Sequence, residues 1–210
     1  MKRKVILILG KTGTGKSTLA KLLLKKAPRV ISIDPLFEYG GSPFETTGEL
    51  IEYHAEHTPE KFHYSLRTVH PTDAEFLFKA AWSIGNVLLV VEEADIYIDN
   101  KKGAFAALVN QGRHRMIHLI CIVRRTPEIN RSFRAQQTSL FTFYQQEPDD
   151  IEHMREWGLD AEKVITLQPL SAAPYVPKEG VNYLRLGETV DEIKFEEEKH
   201  LSPRTVLEVY

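Results

Sequence analysis

The sequence predicts an α/β fold built on a mostly parallel sheet, and three features carry that prediction. Short apolar runs alternate with helix-patterned segments along most of the 210 residues, as expected when helices cover both faces of a parallel sheet. The run Val87-Leu88-Leu89-Val90-Val91 contains no polar residue, as a strand buried on both faces requires. The first apolar run, Val5 to Leu9, leads directly into Gly10-Lys11-Thr12-Gly13-Thr14-Gly15-Lys16-Ser17, and a helix-like stretch follows. That strand–loop–helix setting turns a Gly-x-x-x-x-Gly-Lys-Ser/Thr pattern into a phosphate-binding loop.

Taken in order, strands are predicted at 4–9, 30–33, 87–91, 117–123 and 139–144, and weak alternation over 62–69 suggests an extra edge strand. Helices are predicted at 17–26, 48–57, 74–84, 104–111 and 149–157. Thr72 or Asp73 suits the cap of the third helix and Gly85 its end, while Gly112 and Gly158 mark the ends of two others. Beyond Leu167 the character changes: Pro169, Pro174 and Pro177 interrupt the chain, and Lys178-Glu179-Gly180 reads as a turn between 175–176 and 181–186. The expected organisation is a core over 1–168, with a peripheral hairpin and charged arm over 169–210 packed on it.

A hydrophobic share of 42% and a charged share of 27% are ordinary for a soluble globular domain. The net charge of −2 hides an asymmetry. Between Lys101 and Arg134 there are eight basic residues and one acidic one, whereas Glu188 to Lys199 holds six acidic residues and two basic ones. The basic block points to a polyanion, nucleic acid or phosphate, with a solvated or intersubunit face as the plainer reading. Cys121 is the only cysteine and lies inside an apolar run, so it reads as a small core residue in a chain without internal disulfides, fitting the cytoplasm. No apolar run approaches a bilayer's thickness, which excludes a spanning helix, and the basic start precedes too few apolar residues for a secretory signal.

The chemistry concentrates in a few places. In the loop Gly10 to Thr18 the glycines let successive N–H groups turn inward, and with the positive end of the next helix they form an anion cradle. Lys16 reaches the β- and γ-phosphates, and the Ser17 hydroxyl suits Mg²⁺. The buried run 87–91 ends in Glu92-Glu93. An acid at that place holds Mg²⁺ through water and its neighbour polarises the attacking water. Glu92 is assigned to the metal and Glu93 to the base, the two roles being exchangeable at this stage, with Asp95 a lesser candidate. His54, His57 and His63, and likewise His114 and His118, have no cysteine beside them and do not predict zinc. Trp82 and Trp157 fall in helical patterns and read as packing residues. Arg131 and Arg134, three apart, suit one helical face toward a phosphate backbone or a neighbouring subunit.

Four segments together resemble the FtsK–HerA superfamily of DNA-pumping ATPases, most of all its compact viral genome-packaging branch. They are Gly10 to Ser17; Ile31-Ser32-Ile33-Asp34-Pro35 with Glu38-Tyr39; Val90-Val91-Glu92-Glu93-Ala94; and Gly112-Arg113-His114 followed by 117–123. The resemblance implies a RecA-like sheet of the ASCE type, with the fourth main strand between the first and third. It also implies ATP and Mg²⁺ as cofactors, a ring of five or six copies, and Arg113 as an arginine finger completing the neighbour's site. Double-stranded DNA is the implied partner, with a capsid or assembly protein beside it, in the host cytoplasm or the virion. The chain departs from the family at two places: Glu92-Glu93 stands where Asp-Glu is usual, and Arg124 stands where a polar sensor, commonly Gln, ends the fourth strand.

The leading expectation is therefore an ATP-hydrolysing DNA translocase of the packaging kind. One alternative is a small-molecule, nucleotide-type kinase whose lid is Arg124, Arg125, Arg131 and Arg134. Another is a phage morphogenesis or secretion ATPase acting on protein. A GTPase is disfavoured, because Asn100-Lys101-Lys102-Gly103 lacks the Asp of a guanine-selecting motif.

Overall fold

A computed structural model describes residues 3–68, 70–98, 103–127, 129–159, 161–166 and 193–195. Seven parallel strands form one sheet: β1 (Val5–Leu9), β2 (Arg29–Ile33), β3 (Ser42–Phe44), β4 (Phe62–Leu66), β5 (Val87–Val91), β6 (Ile117–Val123) and β7 (Ser139–Thr142), in the spatial order β3-β4-β2-β5-β6-β1-β7. The fourth main strand of the sequence reading, β6, pairs with β5 on one side and β1 on the other, as the family resemblance implied.

The helices that connect the strands are α1 (Lys16–Leu24), α2 (Thr47–His57), α3 (Pro71–Ile84), α4 (Asp95–Ile98), α5 (Ala104–Gln111), α6 (Arg131–Gln136), α7 (Pro148–Glu156) and α8 (Ala161–Thr166), and a 3-10 turn spans Gly112–Arg115. They divide the core into two layers, because successive strand side chains point to opposite faces. Val5, Leu7 and Leu9 join the larger cluster with Leu50, Leu77, Phe105 and Met154 from α2, α3, α5 and α7. Ile6 and Ile8 join the other with Leu19 and Leu23 of α1. Ile193 and Phe195 are buried in this second layer, so the described piece of the tail does pack on the core, while the predicted hairpin lies outside the described residues. Cys121 is fully buried in the larger layer, as its apolar neighbours predicted.

Three expectations change. The strand over 62–69 is not an edge strand: β4 ends at Leu66 and lies between β2 and β3. The edge is β3, whose Ser42-Pro43-Phe44 gives little sequence signal. Proline removes a ladder donor and is tolerated only where one side of the strand is unpaired. The N-cap of α3 is His70, with Pro71 at the first helical position, where its missing N–H costs nothing. Asp73 instead accepts a hydrogen bond from the Thr68 hydroxyl at 2.9 Å and ties down the entering chain. Finally, α2 begins one residue before the predicted start, on a capping box in which Thr46 accepts the Glu49 N–H and Glu49 reaches back to the Thr46 N–H.

Candidate functional site

Because all seven strands run the same way, their carboxyl ends meet along one edge of the sheet, and loop residues from distant parts of the chain converge there. The phosphate loop leaves β1, Asp34 follows β2, Glu92 and Glu93 follow β5, and Arg124 follows β6. The pairing of Ile33 with Val91 sets Asp34 beside Glu92, and that of Val91 with Cys121 sets β5 and β6 in step.

The loop is held by its own backbone and by the exit of β7. The Lys11 N–H donates to the Tyr144 carbonyl at 3.2 Å, and the Thr14 N–H and hydroxyl both donate to the Lys11 carbonyl, at 3.3 and 2.7 Å. Gly15, with φ of 106°, turns the chain into α1 through a conformation that side-chain-bearing residues rarely take. At Gly10 the constraint is space: a Cβ would stand 2.7 Å from Phe143 Cβ and from Thr14 Oγ1. Lys16 folds back over the loop, its Nζ donating to the Lys11 carbonyl at 3.1 Å. Burial lowers the Lys16 pKa, Glu92 opposes that shift, and Arg124 adds to it.

Opposite the loop, Glu92 is mostly buried, and burial raises its pKa against the hydrogen bond from Tyr39 and the charge of Lys16. The Tyr39 hydroxyl donates to Glu92 Oε2. Burial first, then the Glu92 carboxylate, pushes the Tyr39 pKa up, so the phenol keeps its proton and acts as donor. Ser17, beside Lys16 at the start of α1, and Glu92 offer hard oxygen atoms, a donor set that suits Mg²⁺. Glu93, next in sequence, sits at φ 49°, a strained left-handed conformation for a residue with a side chain. Its carboxylate meets Arg124 at 3.1 Å. Asp95 Oδ1 is buried without a hydrogen-bond partner among the described residues.

Gly10 to Thr18, Glu92, Glu93 and Arg124 therefore lie at the same edge, and Arg113 does not. It sits on the 3-10 turn before β6, at the amino edge of the sheet. That turn is fastened on both flanks. Arg3 donates to the carbonyls of Leu108, Val109 and Ile117, and Arg115 donates to those of Trp82 and Ser83. Arg113 is left exposed on the surface.

Within the basic block, Arg113, Arg124 and Arg131 are exposed, and several of the described arginines take partners in the chain. Besides Arg115 and Arg124, Arg125 pairs with the fully buried Asp150 at 3.1 Å, and Arg134 stacks over Trp157 with its Cζ 5.0 Å from the ring centre. Arg131 is exposed and Arg134 is partly buried on the same helix, α6. Of the four arginines of the kinase-type lid, Arg124 pairs with Glu93, Arg125 with Asp150 and Arg134 with the Trp157 ring. His54 meets the Tyr64 hydroxyl at 3.2 Å and His118 Nδ1 accepts the Lys4 N–H at 3.0 Å; no His, Cys, Asp and Glu cluster of metal-binding form occurs among the described residues. Burial holds the His118 imidazole near a pKa of about 4 and so neutral. Sequence reasoning gave no role to Tyr39 or to Asp34, although the Asp34-Pro35 and Glu38-Tyr39 steps were its visible signal.

A family model, that of the helicase HerA central domain, matches residues 2–80, which carry the phosphate loop and the Asp34–Tyr39 segment. No curated protein sequence matches the chain. Among solved structures, the genome packaging NTPase B204 from Sulfolobus turreted icosahedral virus 2 in complex with AMP superposes with a TM-score of 0.62 at 20% identity, over 80% of this chain and 90% of that one. The same protein in complex with ATP-gammaS gives 0.62 at 19%, over 79% and 88%. B204, the DNA-packaging ATPase from Sulfolobus turreted icosahedral virus, gives 0.60 at 22%, over 80% and 90%. At such identities the likeness is one of fold. The chain shares the α/β fold of the B204 genome packaging NTPase, and its residues 2–80 match the helicase HerA central-domain family.

Proposed function

We propose that this protein is an ATP-hydrolysing motor that moves double-stranded DNA, of the genome-packaging kind. The observation that supports it most is the convergence of the Gly10–Ser17 loop, Glu92 and the Arg124–Glu93 pair on one edge of the sheet, while Arg113 stands exposed at the other. B204, whose fold this chain shares, is a DNA-packaging ATPase, which favours this reading over the kinase and protein-secretion alternatives.

In this reading Gly10 to Thr18 wrap the triphosphate, Lys16 leaves the Lys11 carbonyl for the phosphate oxygens, and Ser17 and Glu92 hold Mg²⁺. A Mg²⁺ ion held there would supply positive charge against the charge that develops on the phosphoryl oxygens. Glu93 orients and deprotonates the attacking water, and Arg124 holds the Glu93 carboxylate until the γ-phosphate competes for the guanidinium. Because both partners are about half exposed, that ion pair adds little to stability; its value lies in fixing the direction of the carboxylate. The copies work in a ring, of five or six, because Arg113 cannot reach its own loop. A capsid or other assembly protein is the natural docking partner in this reading, and the host cytoplasm or virion the setting. No described helix is long and apolar enough to cross a membrane.

Glu93→Gln keeps the size and most of the hydrogen bonding of the side chain but removes the base. It should retain ATP binding and lower turnover by roughly 10²- to 10⁴-fold. Steady-state phosphate release beside nucleotide binding checks this, and turnover within threefold of wild type would remove Glu93 from the mechanism. The substrate is tested by the ATPase rate with and without duplex DNA, alongside native mass. DNA-stimulated hydrolysis in an oligomer is expected, whereas transfer of phosphate to a nucleotide acceptor would favour the kinase.

A further inference from the structure

Tyr39 is buried although the loop around it is not: Tyr39 is 7% exposed, whereas Leu36 is 80% exposed. The cause is Asp34, a carboxylate only 1% exposed whose two oxygens are both engaged within the loop. Oδ1 accepts the Glu38 N–H at 2.8 Å, and Oδ2 accepts the Tyr39 N–H at 2.8 Å and the Ser65 hydroxyl at 3.1 Å. The Phe37 N–H returns to the Asp34 carbonyl at 3.0 Å. The chain is thereby doubled back, and the Tyr39 ring enters the cluster formed by Leu19, Val30 and Leu88.

From that position the Tyr39 hydroxyl donates to Glu92 Oε2. With Oε2 engaged by the phenol, the other carboxylate oxygen of Glu92 is left for a metal-bound water.

We propose that Tyr39, set in place by Asp34, is a positioning residue of the Mg²⁺ site that orients Glu92 before the metal arrives. The proposal rests on the reading of Ser17 and Glu92 as the metal's residues. Partners that orient metal ligands typically change metal affinity 10- to 100-fold when removed. The opposite arrangement, in which the phenol blocks the cation's place, predicts the opposite sign for loss of the hydroxyl.

The test uses a fluorescent ADP analogue with the full chain, titrated first in EDTA and then across a Mg²⁺ series. Tyr39→Phe keeps the ring and its packing. It should bind the analogue in EDTA within about twofold of wild type, yet require roughly 10-fold more Mg²⁺ to reach the half-maximal effect. Asp34→Asn should shift the Mg²⁺ midpoint in the same direction with Tyr39 still present. Thermal melting confirms that both variants are folded. An unchanged or lowered Mg²⁺ midpoint in folded Tyr39→Phe overturns the proposal. If instead Ser17→Ala and Glu92→Gln leave the midpoint where it is, the metal reading itself fails, and the role of Tyr39 falls with it.

Discussion

Lys16→Ala is expected to lower ATP hydrolysis by three orders of magnitude or more, about 4 kcal/mol of transition-state stabilisation. The lysine is mostly buried, and its Nζ rests on the Lys11 carbonyl, inside the loop it serves. Burial lowers its pKa, so its charge is held at a cost that an arriving triphosphate relieves. Removing the ammonium leaves the β- and γ-phosphate oxygens without the positive charge that Lys16 supplies, while the dipoles of the backbone remain. The loop itself should survive, because it is tied through Lys11 to Tyr144 and through Thr14 to Lys11. The melting temperature should therefore shift by only a few degrees while turnover is lost. Phosphate release and a thermal melt on the same preparation check both halves. Full turnover in the alanine variant would mean that no triphosphate lies across Gly10 to Ser17.

The parts of this protein that were legible in its sequence are those whose causes are local. The phosphate loop, β1, β5 and β6 are contiguous patterns, and the structure reproduces their bounds within a residue. Glu92-Glu93 is legible because an acid pair closes a continuously apolar run. What could not be read depends on who meets whom. The charge block from Lys101 to Arg134 looks like a polyanion surface in a window count. Yet Arg115 caps the end of α3, Arg124 pairs with Glu93, Arg125 with Asp150, and Arg134 covers Trp157. Each partner lies far along the chain, so no window contains it. Tyr39 is visible as a letter, but its meeting with Glu92 exists only after β2 and β5 pair. The place of β4 inside the sheet fails for a related reason: alternation reports that a strand has two faces, and nothing in it reports the neighbours at its edges.

Arg113→Ala should leave ATP binding nearly unchanged and reduce turnover by roughly 10³- to 10⁵-fold, the usual worth of an arginine delivered to a transferring phosphoryl group. Geometry decides how that arginine can act. Arg113 precedes β6 and Arg124 follows it, and the seven residues of that strand span about 23 Å at roughly 3.3 Å per residue. No side chain covers that distance, so Arg113 does not serve its own loop. Its turn is nonetheless fixed by Arg3 on one flank and Arg115 on the other, with Arg113 itself left at the surface. A rigid mount with an exposed guanidinium, whose Nε donates to the adjacent His114 ring at 3.4 Å, is what a contact with a second copy requires, because little ordering remains to oppose it. Mixing gives the decisive measurement. Lys16→Ala chains have an intact Arg113 and a dead loop; Arg113→Ala chains have an intact loop and no finger. Each alone should be nearly inactive, and the mixture should recover a substantial part of the wild-type rate, because some interfaces then unite a sound loop with a sound arginine. Absence of recovery in mixed oligomers, or a defect of Arg113→Ala confined to ATP affinity, would place this arginine outside the neighbour's site and leave the ring without its catalytic reason.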